Sequence, residues 1–219
     1  MVFSMQAGSL RYMISGYHHR GYLPHIKVDG ATYFVTFRLA DSLPQAIVAR
    51  LKEQRADLLR RAADGRVESD PDFQHDLSAA LCAWYAAEVD STLDQHGGSA
   101  WLRQPSIADL VATTLRHFHG RRYALHAWCV MPNHVHAVVQ PLGKHSLASV
   151  LHSWKSYSSN KANRLLNRAG QPFWQRESYD HWIRDEADLA HCIRYTEENP
   201  VKAKLCKRST DWPWSSASQ

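Results

Sequence analysis

The sequence predicts an α+β fold built on an antiparallel sheet. Runs rich in β-branched and aromatic residues alternate with longer runs whose apolar residues recur at helical spacing. Two of the strand-like runs are separated only by Pro132-Asn133, a pair typical of the centre of a tight turn. Because strands joined by so short a turn are antiparallel, the sheet is expected to contain a hairpin.

The first strand and the first helix follow one another directly. Residues 31–40, "ATYFVTFRLA", have the β-branched and aromatic composition of a buried strand. Ser42 and Gln45 have the spacing of a capping box, and the apolar residues that follow recur at helical spacing until Asp64-Gly65. We therefore expect a strand and then a helix.

Two further helices precede the hairpin. Asp70-Pro71 has the pattern of a cap with proline at the first helical position, and the helix that it opens is expected to end at Gly97-Gly98. A third helix is expected to begin at Ser106. The sequence thus predicts a single domain, residues 1–219, with a helical insertion at about 64–105.

After the hairpin the pattern predicts a helix over 146–166, a short strand within 172–185, and a helix over 186–198 that ends at Asn199-Pro200. A basic, Trp-rich tail occupies about 202–219. The order strand, helices, hairpin, helix, strand, helix fits a ferredoxin-like α/β sandwich with an antiparallel sheet and inserted helices.

The composition is that of a globular protein with a mildly basic charge. The 219 residues are 44% hydrophobic and carry a net charge of +5, which is compatible with a polyanionic partner. The four cysteines lack C-x-x-C spacing, which argues against a disulfide framework or a zinc knuckle. No run approaches the roughly 20 apolar residues of a membrane span, and the N-terminal residues lack the apolar core of a signal peptide. We therefore expect a cytoplasmic protein without membrane contact.

The second hairpin strand carries two histidines, His134 and His136, two residues apart. Side chains at i and i+2 of a strand lie on one face, so a metal ion could bind both imidazoles. Across a two-residue turn Met131 would face His134 and Cys129 would face His136. Two imidazoles make an incomplete shell, as at catalytic sites. The alternative is two half-buried histidines with satisfied hydrogen bonds.

The helix after the hairpin carries Tyr157 at the edge of its apolar stripe. With about 100° per residue, the tyrosine lies roughly 80° from the centre of the stripe, where helix, sheet and solvent meet. Its phenol could reach a site beside the hairpin. The alternative is a packing residue with a solvated hydroxyl.

Six segments, taken together, resemble the REP-associated tyrosine transposases, which are bacterial relatives of the single-tyrosine HUH transposases. The resemblance extends from about His18 to Ala217. The segments are, in order, "YFVTFRLADSLP", "MPNHVHAVVQP", "SWKSYSSNKANRLL", "FWQRESYDHWIRDE", "YTEENPVKAKL" and "DWPWSSA".

The resemblance implies a ferredoxin-like fold and a metal-dependent enzyme that cuts and rejoins single-stranded DNA. His134 and His136 match the ligands of Mg²⁺ or Mn²⁺, and Tyr157 matches the nucleophile that would form a 5′-phosphotyrosine. The implied substrate is DNA that carries repetitive extragenic palindromes, folded as hairpins with a single-stranded guide sequence at the foot.

The resemblance also implies a Gln or another polar ligand four residues after the tyrosine, where this chain has Lys161. A protonated lysine cannot ligate a metal. Lys161 is therefore expected to hold the phosphate or to favour the phenolate, with a solvated lysine as the alternative.

Further basic and aromatic residues are expected to contact DNA. Lysine and arginine bind phosphates regardless of sequence, and tryptophan offers a stacking face for unpaired bases. For the tryptophans the alternative is a place in the core. The candidates are Arg121, Arg122, Lys144, Lys155, Lys161, Trp174, Arg176, Trp212 and Trp214.

Two other functions remain open. A nucleic-acid-binding protein without catalytic activity would need the basic and aromatic surface, but neither Tyr157 nor a metal. An H-x-H metal phosphodiesterase would need the histidines and the metal, but would leave no protein attached to DNA. For the oligomeric state a monomer is favoured, and a dimer is the alternative.

Overall fold

A computed structural model describes residues 14–20, 23–28, 30–63, 80, 84–95 and 98–219. The chain forms two compact units, of which the smaller is Asp41–Ala100 and the larger comprises Met1–Ala40 and Trp101–Gln219. The single domain with an insertion at about 64–105 stays a prediction. In the described part of the chain, no helix has both the length and the apolar character needed to cross a bilayer.

An antiparallel pair of strands, β1 (Ile14–Arg20) and β2 (Leu23–Val28), precedes the main sheet. Sequence analysis did not predict this pair. The sequence of β1, ISGYHHR, does not alternate apolar and polar side chains, and the alternation in β2 is limited to the four residues 25–28, which is a weak signal for a strand.

The main sheet has four strands: β3 (Thr32–Arg38), β4 (Tyr123–Val130), β5 (His134–Pro141) and β6 (Tyr179–Ile183). Their order in the sheet is β4-β5-β3-β6, and every neighbouring pair is antiparallel. The hairpin of β4 and β5 and the central position of β3 are those of a ferredoxin-like sheet. The predicted fold class is therefore confirmed.

The smaller unit contains α1 (Gln45–Ala63), which confirms the predicted first helix. It also contains a π-helical segment, Tyr85–Asp90, that leads into the short helix α2 (Ser91–Gln95). Both lie within the predicted second helix. The predicted start of that helix, at Asp70-Pro71, lies outside the described residues.

The larger unit contains α3 (Pro105–Arg116), α4 (Leu147–Leu165) and α5 (Glu186–Lys202). Helix α3 begins one residue before the predicted Ser106, because proline suits the first helical turn, where its missing N–H would have no intrahelical partner. Helix α4 is capped by Ser146, whose side chain accepts a hydrogen bond from Ser149 N.

The predicted end of α5 at Asn199-Pro200 is wrong, because the helix continues through Pro200 to Lys202. A proline in the last turn removes only its own N–H from the hydrogen-bond ladder, and the ladder resumes when Ala203 N donates to Asn199 O at 2.9 Å. The additional turn therefore keeps Lys202 on the helix.

Alternate residues of β3 face opposite sides of the sheet. Tyr33, Val35 and Phe37 belong to the main apolar core with residues of α3 and α4, and the Phe37 ring lies 6.4 Å from that of Trp154 on α4. Phe34 belongs to the other face, where its ring lies 5.7 Å from that of Tyr195 on α5. Helices α3 and α4 thus cover one face of the sheet, and α5 covers the other.

Helix α5 is attached near both of its ends. Near its start, the Asp188 carboxylate lies 3.0 Å from His181 Nε2 on β6. Near its end, the Ser216 hydroxyl donates to the Glu197 carboxylate at 2.8 Å. These contacts fix the helix against the sheet and against the C-terminal segment.

A buried hydroxyl joins the two helices on the opposite face. Tyr123 Oη donates to Leu115 O at 2.7 Å and accepts from Trp154 Nε1 at 2.9 Å and from Phe118 N at 3.3 Å. Tyr123 and Trp154 are each 1% exposed, so water cannot replace these bonds. This hydroxyl therefore links β4 to α3 and α4.

We predict that Tyr123→Phe lowers the free energy of unfolding by about 1–3 kcal/mol, because it leaves a buried carbonyl and a buried indole N–H without partners. Urea denaturation gives the free energy. In a double-mutant cycle, the Tyr123→Phe/Trp154→Phe variant should lose less stability than the sum of the losses of the two single variants. An unchanged stability of Tyr123→Phe would contradict this account of the core.

Candidate active site

The two histidines of β5 lie side by side on the face of the sheet that α5 covers. His136 pairs with Thr36 on β3 and with Cys129 on β4, and Met131 N donates to His134 O at 2.9 Å. The predicted facing of Cys129 and His136 and of Met131 and His134 is therefore confirmed. Both imidazoles are fully buried.

Each imidazole is oriented by an oxygen atom at its Nδ1. His134 Nδ1 donates to Asn133 Oδ1 at 2.7 Å, and His136 Nδ1 lies 2.8 Å from Thr36 Oγ1. The two Nε2 atoms face one another at 2.9 Å. When both rings carry their proton on Nδ1, two lone pairs converge there, and only a cation or a shared proton makes this arrangement favourable.

Burial keeps both rings neutral. Loss of hydration lowers the pKa of His134 to about 3. The pKa of His136 also lies well below its usual value because of burial first, and then because of electrostatic interactions with His134 and Lys202. Neutral imidazoles are the form that ligates metals.

Tyr195 on α5 lies directly against this pair. Its ring centroid is 5.8 Å from that of His136, with the two planes nearly perpendicular. The Phe34 ring stacks on the His136 ring, with the two centroids 5.5 Å apart, and it also contacts the Tyr195 ring. A phenol and two imidazoles that could ligate a metal thus meet on one face of the sheet.

Two polar residues follow Tyr195 on the same helix. Asn199, one turn later, is 3% exposed, and its Oδ1 is buried without a hydrogen-bond partner among the described residues. Lys202 Nζ lies 4.4 Å from the centroid of the Tyr195 ring and is exposed to solvent. The site therefore combines an unused buried oxygen with an accessible positive charge.

These residues fit a divalent metal ion. Two ligands in neighbouring positions of an octahedral shell with bonds of about 2.1 Å lie roughly 3.0 Å apart, close to the separation of the two Nε2 atoms. The rings are neutral, their Nδ1 atoms are held by oxygen atoms, and Asn199 offers an amide oxygen from the opposing helix.

A second group of possible ligand atoms lies beneath α5, on His181, Asp188 and Cys192, within 4.8 Å of one another. Hydrogen bonds account for its arrangement. Asp188 contacts His181 and also accepts from Arg184 N at 3.3 Å, which attaches the first turn of α5 to the end of β6.

Tyr157, the predicted nucleophile, does not lie near the histidines. Its helix, α4, packs through Trp154 on Phe37 of β3. Phe37 faces the side of the sheet opposite to that of Thr36 and His136. The Tyr157 side chain is 53% exposed, and Lys161 Nζ lies 5.9 Å from its ring centroid. The sheet therefore separates Tyr157 from the histidine pair.

The predicted DNA-binding cations occupy two regions. Arg121, Arg122 and Lys144 lie at the far end of the hairpin, where Tyr123 pairs with Pro141, about 17 Å along the strand from His136. Lys155 lies at the end of the hairpin that is near His136, and its ammonium group donates to Arg176 O at 2.9 Å. Burial and the charge of Arg38 lower the pKa of Lys155 to about 8.

The predicted stacking tryptophans have protein partners. Trp174 is 8% exposed and donates to Ser158 Oγ at 2.8 Å, so it is part of the core. Trp212 Nε1 donates to Val130 O at 3.0 Å, and Trp214 Nε1 donates to Asp109 Oδ1 at 2.8 Å. The tail packs along β4, and both indoles remain partly exposed.

Sequence reasoning missed Tyr195, Asn199 and Lys202. A signal for the first two exists in "YTEENP", because Tyr195 and Asn199 have the i, i+4 spacing of a tyrosine and a polar ligand, which Tyr157 and Lys161 lack. Thr36 and Asn133, which orient the imidazoles, gave no such signal.

Comparison with known proteins finds similarity to transposases over part of this chain. Residues 104–199 match the model of the family "Transposase IS200 like". A REP-associated tyrosine transposase of Escherichia coli K12 is 31% identical over 97 residues, which are 43% of this chain and 54% of that protein. A Haemophilus influenzae protein, provisionally named a transposase of the same type, is 33% identical over 99 residues, 41% of this chain and 56% of that protein.

The chain thus spans about half the length of these curated relatives. A solved structure of a REP-associated tyrosine transposase bound to a REP hairpin aligns with 90% of this chain and 80% of its own, at 18% identity. The TM-score of this alignment is 0.47. Residues 104–199 are thus similar to the IS200-like transposases.

Proposed function

We propose that the protein is a metal-dependent enzyme that cuts and rejoins single-stranded DNA, with Tyr195 as its nucleophile. One observation carries this proposal: the ring of Tyr195 lies 5.8 Å from that of His136, on the same face of the sheet as both neutral histidines. Tyr157 has no comparable environment, since it lies on the other side of the sheet.

The reaction is a transesterification. Tyr195 Oη attacks the scissile phosphorus, an O–P bond to the tyrosine forms, and the bond from phosphorus to the 3′-oxygen breaks. The phenolic proton is lost and the leaving 3′-oxygen gains one. The 5′-phosphotyrosine keeps the energy of the phosphodiester, so the 3′-hydroxyl of another strand can reverse the step and join the DNA.

His134, His136 and Asn199 are the residues that would hold Mg²⁺ or Mn²⁺ in this proposal. Such an ion supplies Lewis-acid polarisation of the scissile phosphate. Asn133 and Thr36 keep both Nε2 atoms directed at one point. Lys202, beside the Tyr195 ring, offers a cation for the charge that develops on the phosphate oxygens.

The proposed substrate is a DNA hairpin with a single-stranded foot, as in repetitive extragenic palindromes. The names of the Escherichia coli and Haemophilus influenzae relatives support this choice. The basic residues at both ends of the hairpin strands are suited to phosphate contacts. We also propose that the protein acts in the bacterial cytoplasm and is a monomer.

We predict that Tyr195→Phe abolishes cleavage and the covalent protein–DNA adduct, because only the nucleophilic oxygen is removed. Tyr157→Phe is the matched control and should cleave at nearly the wild-type rate. The measurement is denaturing gel electrophoresis of labelled hairpin DNA, which separates cut DNA from the adduct.

If Tyr157→Phe abolished cleavage and Tyr195→Phe did not, Tyr195 would be rejected as the nucleophile. A mixture of Tyr157→Phe and His136→Ala proteins would then show whether Tyr157 acts from a second copy of the chain. Cleavage without an adduct in every variant would instead favour an H-x-H phosphodiesterase, and binding without cleavage would favour a non-catalytic DNA-binding protein.

Removal of a ligand should weaken metal binding. His134→Ala and His136→Ala are expected to lose measurable Mn²⁺ binding in calorimetry and to stop cleaving, since each removes one of two imidazole ligands. Asn199→Ala should retain weaker Mn²⁺ binding, whereas His126→Ala, at an exposed strand position, is the control. Unchanged Mn²⁺ affinity in both histidine variants would mean that the pair has a structural role.

Without metal, acidification should destabilise the protein. The buried histidines have folded-state pKa values far below the usual 6.5, so between about pH 6.5 and the folded values only the unfolded chain binds these protons. Stability must then fall as pH falls, by about 1.4 kcal/mol per pH unit for each histidine. Urea denaturation in chelator at about pH 7.5 and about pH 5 measures this loss. The His136→Gln variant should lose less stability than the wild type over this pH range. An equal loss of stability in both proteins would contradict the burial of a neutral His136 ring.

A further inference from the structure

One long segment of the chain carries positive charge without any acidic residue. Between Asp109 and Glu177 there is neither aspartate nor glutamate. The same segment, which includes β4, β5 and α4, holds nine lysines and arginines. These are Arg116, Arg121, Arg122, Lys144, Lys155, Lys161, Arg164, Arg168 and Arg176. The charge of the whole chain, +5, is thus concentrated here rather than spread evenly.

The outer face of α4 presents part of this charge. Its inner side is buried through residues such as Val150, Trp154 and Ala162. The exposed positions recur three or four residues apart, as expected for one helix face. After the first turn, where Ala148 and Ser149 are exposed, they are His152, Ser156, Tyr157, Asn160, Lys161, Arg164 and Leu165, and we call these seven residues the α4 outer face.

Two features distinguish the α4 outer face from an ordinary solvated helix surface. Lys161 and Arg164 have no ion-pair partner in the part of the chain that the structure describes, whereas solvated helices usually carry both signs of charge. Tyr157 and Leu165 are the exposed large apolar side chains of the described residues, at 53% and 59%. Unpaired cations beside exposed apolar groups are typical of a binding surface.

This surface cannot contact a phosphate bound between the histidines and Tyr195. The sheet and the body of α4, a cylinder about 10 Å across with its side chains, lie between them. Lys155 and Arg176 lie beside β6, the edge strand, and form a basic connection from α4 around that edge. A polymer that leaves the catalytic face could therefore reach the α4 outer face.

From these observations we infer that the α4 outer face binds the paired stem of the DNA hairpin whose single-stranded foot enters the catalytic site. The inference rests on the proposed function. Uniform positive charge at i and i+3 suits a regular row of backbone phosphates, and it gives affinity that does not depend on sequence. Tyr157 acquires a role here as a contact residue rather than a nucleophile.

The test uses the Lys161→Glu/Arg164→Glu variant with three DNA probes: a hairpin with its foot, the stem alone, and the foot alone. For both stem-containing probes we expect at least a tenfold loss of affinity at about 0.1 M salt, and a slope of log affinity against log salt that is smaller by about 2. Binding of the foot should change less than twofold.

The matched control is Arg50→Glu/Arg103→Glu, which makes the same change of charge at exposed arginines outside the acid-free segment. It should bind all three probes as the wild type does. The inference would be overturned if the Lys161→Glu/Arg164→Glu variant bound the stem with an affinity within twofold of the wild type. It would also be overturned if the control variant lost as much affinity for the stem. Because binding is measured apart from cleavage, a wild type that binds the stem but cuts no probe would reject the proposed function alone.

Discussion

The two-residue period of β5 is the constraint on which the site depends. Val135, Ala137 and Val139 fill the core beneath α3 and α4, so the residues between them must face α5. The turn before β5 fixes this choice, since Leu39 N donates to Asn133 O at 2.8 Å. A slip by one residue would bury the imidazoles in the apolar core and turn the valines towards α5.

The same face accepts unfavourable interactions that an ordinary core would avoid. Two neutral imidazoles direct Nε2 atoms at one another, and Asn199 buries an amide oxygen that lacks a described partner. An unsatisfied buried oxygen costs about 1–3 kcal/mol. Tyr195 and Phe34 surround the pair with aromatic rings and so keep water away. A cation held by these groups, as we propose, would stabilise the arrangement.

Local patterns were sufficient for most elements and did not distinguish Tyr157 from Tyr195, the nucleophile that we propose. The strand at 31–40, the hairpin and the helix over 146–166 follow from residue composition and spacing, and the H-x-H pair follows from strand alternation. Tyr157 and Tyr195 give nearly the same local signal, because each lies on a helix that packs against the sheet. Which face of the sheet a helix covers depends on how the connection crosses, and a single sequence does not contain that information.

The distribution of the basic residues was hidden for a related reason. Arg121 and Arg122 are close to the histidines along the chain, but an antiparallel hairpin places them at opposite ends of its strands. Lys202 is remote in sequence and close in space, because α5 returns across the sheet and continues through Pro200. Proximity along the chain was therefore a poor guide to the electrostatics of the site.

Tyr195, Asn199 and Lys202 all belong to one helix, and that helix is held to the sheet by Asp188 and to the C-terminal segment by Glu197. A rigid support of this kind would keep the proposed nucleophile, the amide oxygen and the lysine cation at constant mutual distances throughout the proposed reaction cycle. A DNA end attached to Tyr195 would then stay where it was cut. Exchange of partners would have to occur by departure of the released 3′ end and arrival of another, with the protein as the stationary member of the reaction.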